Sequence, residues 1–301
     1  MKRKIFVGFL LLMMTICYLN AFPQLKKRVA VFTFEDKSKH GWHWWNGKPP
    51  GEGMADMLTT ELVKSGKYRV IERQEIAQLM EEQNMGMTGR VTEQSAAQIG
   101  KLLGVELAIM GAVTEFGYSE SDKGGRIKGI GLGVSSKKAT VAIDVRFVNT
   151  ETGEILAADN VRKEKSKGGL RISTPKFGFS DRNSFDNSLV GKATREAVED
   201  IIGLVEDQME SLPWQGKILK VAGTTVYIKP GSDGGVKVGD LFTIFSHGEA
   251  LIDPDTGLNL GSIEKKVGTI EVTSLIANGK AATAVVKSGS GFKTGDLVKQ
   301  Q

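Results

Sequence analysis

The side chains in this sequence with spacings that suggest chemistry form only partial sets. His40 and His43 would open a zinc site, but the third histidine, His247, lies in a different part of the chain, and zinc takes three or four ligands. Asp253-Pro254-Asp255-Thr256-Gly257 begins like a calcium loop, lacks the later acidic ligands of an EF-hand, and reads as a Pro-Gly turn. Gly129, Gly131 and Gly133 are spaced like part of a phosphate-binding loop. That reading needs a helix immediately afterwards, and the next regular element reads as a strand. Ser135 with Lys138, and Lys293-Thr294-Gly295, match fragments of a serine acyl-enzyme set whose Ser-Asn element is missing. Glu61, Glu81 and Glu82 fall on helical faces that read as solvated. No nucleophile, base and orienting group come together. The expectation is a protein without catalysis, cofactor or metal.

What remains is a loop. Trp42, Trp44 and Trp45, followed by Asn46, lie between Asp36 and the Pro49-Pro50-Gly51 turn. Loops run over the surface and are usually polar. A loop this aromatic is either a cap folded onto its own domain or a face for another protein or a pore, and the residues leave both readings open.

The elements around the loop alternate in type. Arg28 to Phe34 reads as a strand leading into it. Met54, Leu58, Leu62 and Val63 fall at helical spacing, and Ser65-Gly66 closes that helix. Tyr68 to Ile71 is a short strand, and Ile76, Leu79 and Met80 mark a second helix. Thr92 opens a third helix, with Ala96, Ile99, Leu102 and Leu103 as its stripe and Gly104 as its end. Val105 to Phe116 is a long apolar strand. Alternating strands and helices predict a three-layer α/β domain.

The pattern then changes to hairpins. The first spans residues 117–148: Ile130, Leu132 and Val134 alternate with glycines, and Val141, Ile143, Val145 and Phe147 alternate with polar residues. Asn149 to Gly153 is a turn. A second hairpin is expected over residues 155–189, with weaker alternation at Leu170, Ile172, Phe177 and Phe179. Both read either as soluble sheet extensions or as membrane-inserting hairpins. Residues 160–182 are strongly basic, and a Lys or Arg facing lipid at mid-depth costs about 2–4 kcal/mol. A long amphipathic helix follows, carrying Ala197, Ile201, Leu204, Val205 and Met209, and Pro213 stops it. From Trp214 the chain is nearly all short strands. Gly231 to Leu241 recurs in shortened form as Gly289 to Leu297, each copy delivering Gly-Asp to a strand, which suits a small β-barrel over residues 214–301.

Lys2, Arg3 and Lys4, an apolar run to Leu19, and Ala21 predict a signal peptide over residues 1–21 and hence export. Cys17 offers lipidation instead, although Ile16 stands where a small residue is wanted. The net charge of +5 owes three residues to this segment; without them 37 Lys and Arg face 35 Asp and Glu, no basis for binding nucleic acid. Without Cys17 the chain has no thiol and no disulfide.

Residues 28–212 resemble the CsgG family of curli secretion channel subunits, most specifically in ELVKSGKYRVIERQ, GAVTEFG and VNTETGEIL. The tail, GKILKVAGTTVYIKPGSDGGVKVGD, is similar to the C-terminal domain of the flagellar protein FlgT. The resemblance implies a CsgG-like α/β domain over residues 25–212 that assembles with itself into a ring, at the periplasm and outer membrane of a Gram-negative bacterium. It implies an outer-membrane β-barrel built from the hairpins of all subunits, with Ile130, Leu132, Val134, Val141, Ile143, Val145, Leu170, Ile172, Phe177 and Phe179 facing the membrane. An unfolded secreted protein would pass a constriction lined at Trp42, Trp44, Trp45 and Asn46. The C-terminal β domain would dock a partner that the resemblance does not identify. The other expectation, from a different class, is a periplasmic scaffold whose hairpins never enter lipid.

Overall fold

Apolar side chains at every second position from Ala139 to Phe147 make this segment a strand with one buried face, and the first sheet is built around it. In the computed structural model, residues 25–38, 47–71, 76, 92–127, 130–168, 181–252, 254 and 259–300 are described. The sheet runs β3 (Arg69–Ile71), β1 (Arg28–Val31), β4 (Leu107–Ile127), β5 (Ile130–Asn149), β6 (Ile155–Gly168). β1 is parallel to β3 and β4, whereas β4, β5 and β6 form an antiparallel meander. The chain rejoins β4 at β2 (Glu35–Asp36) after Phe32 and Phe34, which are buried in separate cores.

Helices cover both faces. α1 (Pro50–Ser65) and α4 (Leu189–Ser211) bury Met54, Leu58, Leu62, Ala197, Ile201 and Val205 against the odd-numbered side of β5. α2 (Glu93–Leu103) places Ala96 and Ile99 on the other face, against Ala30, Phe32, Ala108 and Met110. Ile76 is helical and buried there too, while Leu79 and Met80 lie outside the described residues. This is the expected three-layer α/β domain. Gly66 closes α1 and Gly104 follows α2, each at a positive φ (66° and 67°).

The hairpins differ from expectation. The first is longer: β4 does not end at Phe116 but stays paired with β5 as far as Ile127 opposite Ile130. The second is not a hairpin throughout residues 155–189. α3 (Arg182–Asp186) and the start of α4 occupy its final limb. The reason is capping chemistry: Asp181 and Ser184 form a reciprocal capping box, and the Ser188 hydroxyl accepts from the Gly191 N–H at 2.9 Å, so this polar stretch nucleates helix. Phe185 of α3 is fully buried in the main core, and Gly191 packs where an added Cβ would overlap the Phe185 carbonyl.

Residues 215–300 close into a six-stranded barrel, ordered β10 (Asn259–Ile276), β11 (Ala281–Gly289), β8 (Thr225–Lys229), β7 (Gln215–Ala222), β12 (Leu297–Gln300), β9 (Leu241–Ile252). Trp214 stacks on Phe242 at 5.2 Å in its core. The Gly-Asp repeat becomes a pair of equivalent turns. The Lys237 N–H donates to Asp240 Oδ2 and the Lys293 N–H to Asp296 Oδ2, both at 2.7 Å. Gly239 and Gly295 share a φ of 93°. The first turn exchanges backbone hydrogen bonds with Val272 of β10, the second with Ile218 of β7. The closed strand order is likewise unchanged when β7, β8 and β9 are exchanged for β10, β11 and β12, so the two turns occupy corresponding places in the barrel.

The barrel sits at the end of the α/β domain away from the β4–β5 tip. The Lys26 N–H donates to the Gly234 carbonyl at 2.8 Å, Arg69 meets Asp233 at 3.7 Å, and Gln215 Nε2 donates to Glu151 at 3.3 Å. Leu25 packs on the barrel core. Beside this junction the Arg28 N–H donates to Glu106 Oε2 at 2.6 Å, with the Arg28 guanidinium 3.4 Å from the other oxygen. Burial pushes the Glu106 carboxyl above the usual carboxylate range, and Arg28 pulls it back only partly. Burial likewise lowers the nearby Lys27 ammonium, against the pull of Glu106 and Glu210. Because folded Glu106 holds its proton to higher pH than unfolded Glu106, its contribution is fullest below the unfolded pKa, about 4.3, and is lost as pH rises through the folded value. We therefore expect the urea midpoint of the wild type to fall relative to that of Glu106→Gln as pH rises above about 4.3.

Candidate functional site

Two features carry the sequence expectations: the loop between β2 and α1, and the ribbon that β4 and β5 extend beyond the core. The loop residues Trp42, Trp44, Trp45 and Asn46 lie outside the described residues, but both ends of the loop are fixed. At the entrance, the Lys37 N–H donates to the Val113 carbonyl at 2.8 Å, and Asp36 Oδ1 accepts from the Ser38 N–H and hydroxyl at 2.9 and 2.6 Å. At the exit, Lys48 pairs with Glu52 at 2.6 Å, and Pro50 starts α1, where its missing N–H costs nothing. The exit lies against the entrance at Gly51, where an added Cβ would overlap the Phe34 carbonyl. The Pro-Pro-Gly-Glu-Gly sequence is thus a close-approach device that brings the two ends of the aromatic loop together.

The ribbon obeys one register. Beyond the shift between Val113 and Glu115, β4 and β5 pair without interruption from Glu115 opposite Ala142 to Ile127 opposite Ile130. The described core ends at Tyr118 and Ala139, which are register partners. From there nine residues of each strand continue, 119–127 and 130–138, at the short end of the roughly 9–11 residues of a membrane-spanning strand.

This register corrects part of the site expectation. Val141, Ile143 and Val145 do not face a membrane; they are fully buried beneath α4. β5 is a single strand, so positions of opposite parity lie on opposite faces. Positions 130, 132 and 134 are therefore on the face opposite positions 141, 143 and 145. The two apolar sets, taken together in the sequence, separate into an extension set and a core set. Leu170, Ile172, Phe177 and Phe179 lie outside the described residues.

The sequence reading also missed a polar network on the sheet face opposite α4. Arg162 reaches Glu115 at 3.1 and 3.0 Å, Lys138 pairs with Glu164 at 2.6 Å, and Asn160 donates to Asp144 at 2.5 Å. On the other face, Lys163 pairs with Asp200 and Lys165 with Glu196 of α4, each at 2.6 Å. Several members of the basic run are thus matched to carboxylates. The signal was available as acidic residues at helical spacing on α4, four positions apart. His43 and His40 lie outside the described residues, and among the described residues no cluster of His, Cys, Asp and Glu could hold a metal. Among those residues, no helix is long and apolar enough to cross a membrane.

A comparison with protein families matches residues 13–226 to the curli production assembly/transport component CsgG. The chain belongs to the CsgG family. That membership makes it a protein of the exported, cell-envelope class. No curated protein matches the chain. Solved structures similar to it include the hypothetical protein CT253 of Chlamydia trachomatis, at 15% identity over 60% of this chain and 96% of that one, with a TM-score of 0.39. XCC0632 of Xanthomonas campestris is 12% identical over 64% of this chain and 92% of its own, with a TM-score of 0.35. The C-terminal domain of LpoB from Escherichia coli is 12% identical over 50% and 91%, with a TM-score of 0.32.

The CsgG-family region thus includes both the pinned loop and the ribbon. Gly51→Ala should lower stability by about 1–3 kcal/mol in denaturant unfolding, because backbone must move to admit the methyl group. The same change at Gly203, an exposed position of α4 with open space around it, should raise stability by about 0.4–1 kcal/mol.

Proposed function

We propose that the chain is one subunit of a ring-shaped homo-oligomer that forms an outer-membrane channel for an unfolded secreted protein and is exposed to the periplasm of a Gram-negative bacterium. The reading is non-catalytic. The observation that carries it is the β4–β5 ribbon. The nine residues of each strand past the core, at about 3.3 Å each and tilted about 40°, rise about 23 Å, close to the roughly 25 Å apolar band of an outer-membrane barrel. Ile130, Leu132 and Val134 alternate there with Gly131, Gly133 and Ser135, the period of a strand with lipid on one side only.

β6 accompanies β5 only as far as Gly168 opposite Ser136, so within the described residues the tip of the ribbon has two open edges. In lipid an unpaired strand edge is prohibitive, and ribbons from neighbouring subunits would close it. At the C-terminal end of β2, which runs parallel to β4 and so leads toward the ribbon side of the domain, the pinned loop would bring Trp42, Trp44, Trp45 and Asn46 from each subunit to a common constriction. Flat aromatic faces narrow a passage while offering an extended chain no specific pairing.

A second reading, a periplasmic scaffold that never enters lipid, is favoured by the second limb. Lys163 and Lys165 are tied to α4, and α3 stands where a returning strand was expected. Single-channel conductance of the purified protein in a planar bilayer separates the two, with Trp44→Ala/Trp45→Ala measured in parallel. The channel reading expects steady conductance that rises in the double variant. Folded protein that is monomeric without detergent and passes no current would overturn it in favour of the scaffold.

A further inference from the structure

The barrel carries an arm that its own closure does not use. β9 pairs with β12 only through Phe245, and β10 pairs with β11 only from Gly268 onward. Beyond those points residues 246–252 and 259–267 pair with each other alone, extending about 23 Å from the barrel. The root of the arm is fixed: Lys299 Nζ contacts both Glu264 oxygens at 2.7 and 2.6 Å and lies 5.4 Å over the Phe245 ring. Past the root, Leu251, Ile252 and Ile263 are 47%, 54% and 58% exposed. A two-stranded ribbon alone is marginal in water, and these three side chains gain nothing from burial in the monomer.

Charge identifies the partner surface. Beyond Lys265 and Lys266, which stand opposite Ser246 and Phe245 at its root, the arm carries Glu249, Asp253, Asp255 and Glu264 and no other Lys or Arg, and Glu264 is already paired with Lys299. Residues 215–229, which form β7 and β8, contain Lys217, Lys220 and Lys229 and no Asp or Glu. Lys217 stands directly opposite Lys229 in the register, and Lys220 opposite Tyr227. Lys220 and Lys229 are exposed, and Leu219 beside them is 42% exposed, so this face also offers apolar contact. In the closed strand order the β7–β8 pair is diametrically opposite the β9–β10 pair that forms the arm. An acidic, apolar arm on one side and a basic face on the other cannot meet within one barrel, but they match between barrels.

We propose that the arm of one subunit docks on the β7–β8 face of a second copy of this chain, head to tail. Opposed, non-identical contact surfaces join copies head to tail and close into a ring where the rotation between neighbours closes, as the assembly reading requires. The contact deepens the assembly reading above and rests on it: the barrels would form a second collar, at the end of the subunits away from the β4–β5 tip. Glu249 would face Lys220 and Lys229, with Leu251 and Ile263 covering Leu219 and Tyr227.

Photo-crosslinking of the full chain tests this directly. Benzoylphenylalanine in place of Ile263, in an equal mixture of isotopically light and heavy protein, should give mixed light–heavy adducts on peptides from residues 215–229. Lys220→Glu/Lys229→Glu should abolish them, and adding Glu249→Lys should restore part of the yield. Adducts on the same copy, on the α/β domain, on lipid or on another protein would overturn the proposal. Sedimentation of the same sample separates the two claims. Assembled chain without the adduct overturns the arm contact alone; a monomeric chain overturns both the contact and the ring.

Discussion

The rest of the structure depends on the two-residue period of β5. A strand shows its side chains to alternate sides, so an uninterrupted strand with its apolar residues on odd positions at one end and even positions at the other must bury one set and offer the other. From Ala139 to Phe147 the odd positions are buried beneath α4. From Ile130 to Val134 the apolar residues fall on even positions. The polar stretch from Ser135 to Lys138 is where the preference changes hands. Neither half can slip by one residue without exposing Val141, Ile143, Val145 and Phe147, so the core holds the register of the extension. This is how the three-layer domain can fix a projecting ribbon that has no core of its own.

The same economy recurs at the opposite end. The barrel is closed by two copies of one turn, in which a carboxylate caps a backbone N–H and a glycine supplies the positive φ. The turns hold β9 and β12 in equivalent positions. Against this frame, β9 continues past the barrel to Ile252 in the long arm it forms with β10. The barrel is joined to the α/β domain by backbone and polar contacts at Lys26, Arg69 and Gln215 as well as by the α4 connection. The ribbon and the barrel therefore extend from opposite ends of one body.

Much of this was legible in the residues. The helical spacing of Met54, Leu58 and Leu62, the Gly66 stop and the Asn149–Gly153 turn gave the α/β domain its elements, because each is a local signal. The duplicated Gly-Asp turn announced the barrel. Other features were not legible. Gly117 to Gly125 carries too few apolar residues to read as strand, and its pairing comes from the neighbouring β5. Residues 181–189 fall within the expected hairpin because weak alternation upstream outweighs two N-caps. The apolar positions of the extension and those of the core merge in the sequence because each set alternates cleanly, and only the continuity of β5 reveals that their parities disagree. The sequence found the loop by composition; that its ends meet through Gly51 and the Phe34 carbonyl required the structure.

The central claim is that the two parities of β5 face two different solvents. Single-cysteine variants at each position from 130 to 145, spin-labelled in reconstituted outer-membrane vesicles, test it through the relative accessibility of each label to lipid-soluble oxygen and to a water-soluble relaxation agent. The account predicts a period-two signal in which labels at Ile130, Leu132 and Val134 see lipid and those at Gly131, Gly133 and Ser135 see water, with neither agent reaching Val141, Ile143 or Val145. Uniform aqueous access from 130 to 136, in protein shown to be folded and membrane-bound, would contradict it.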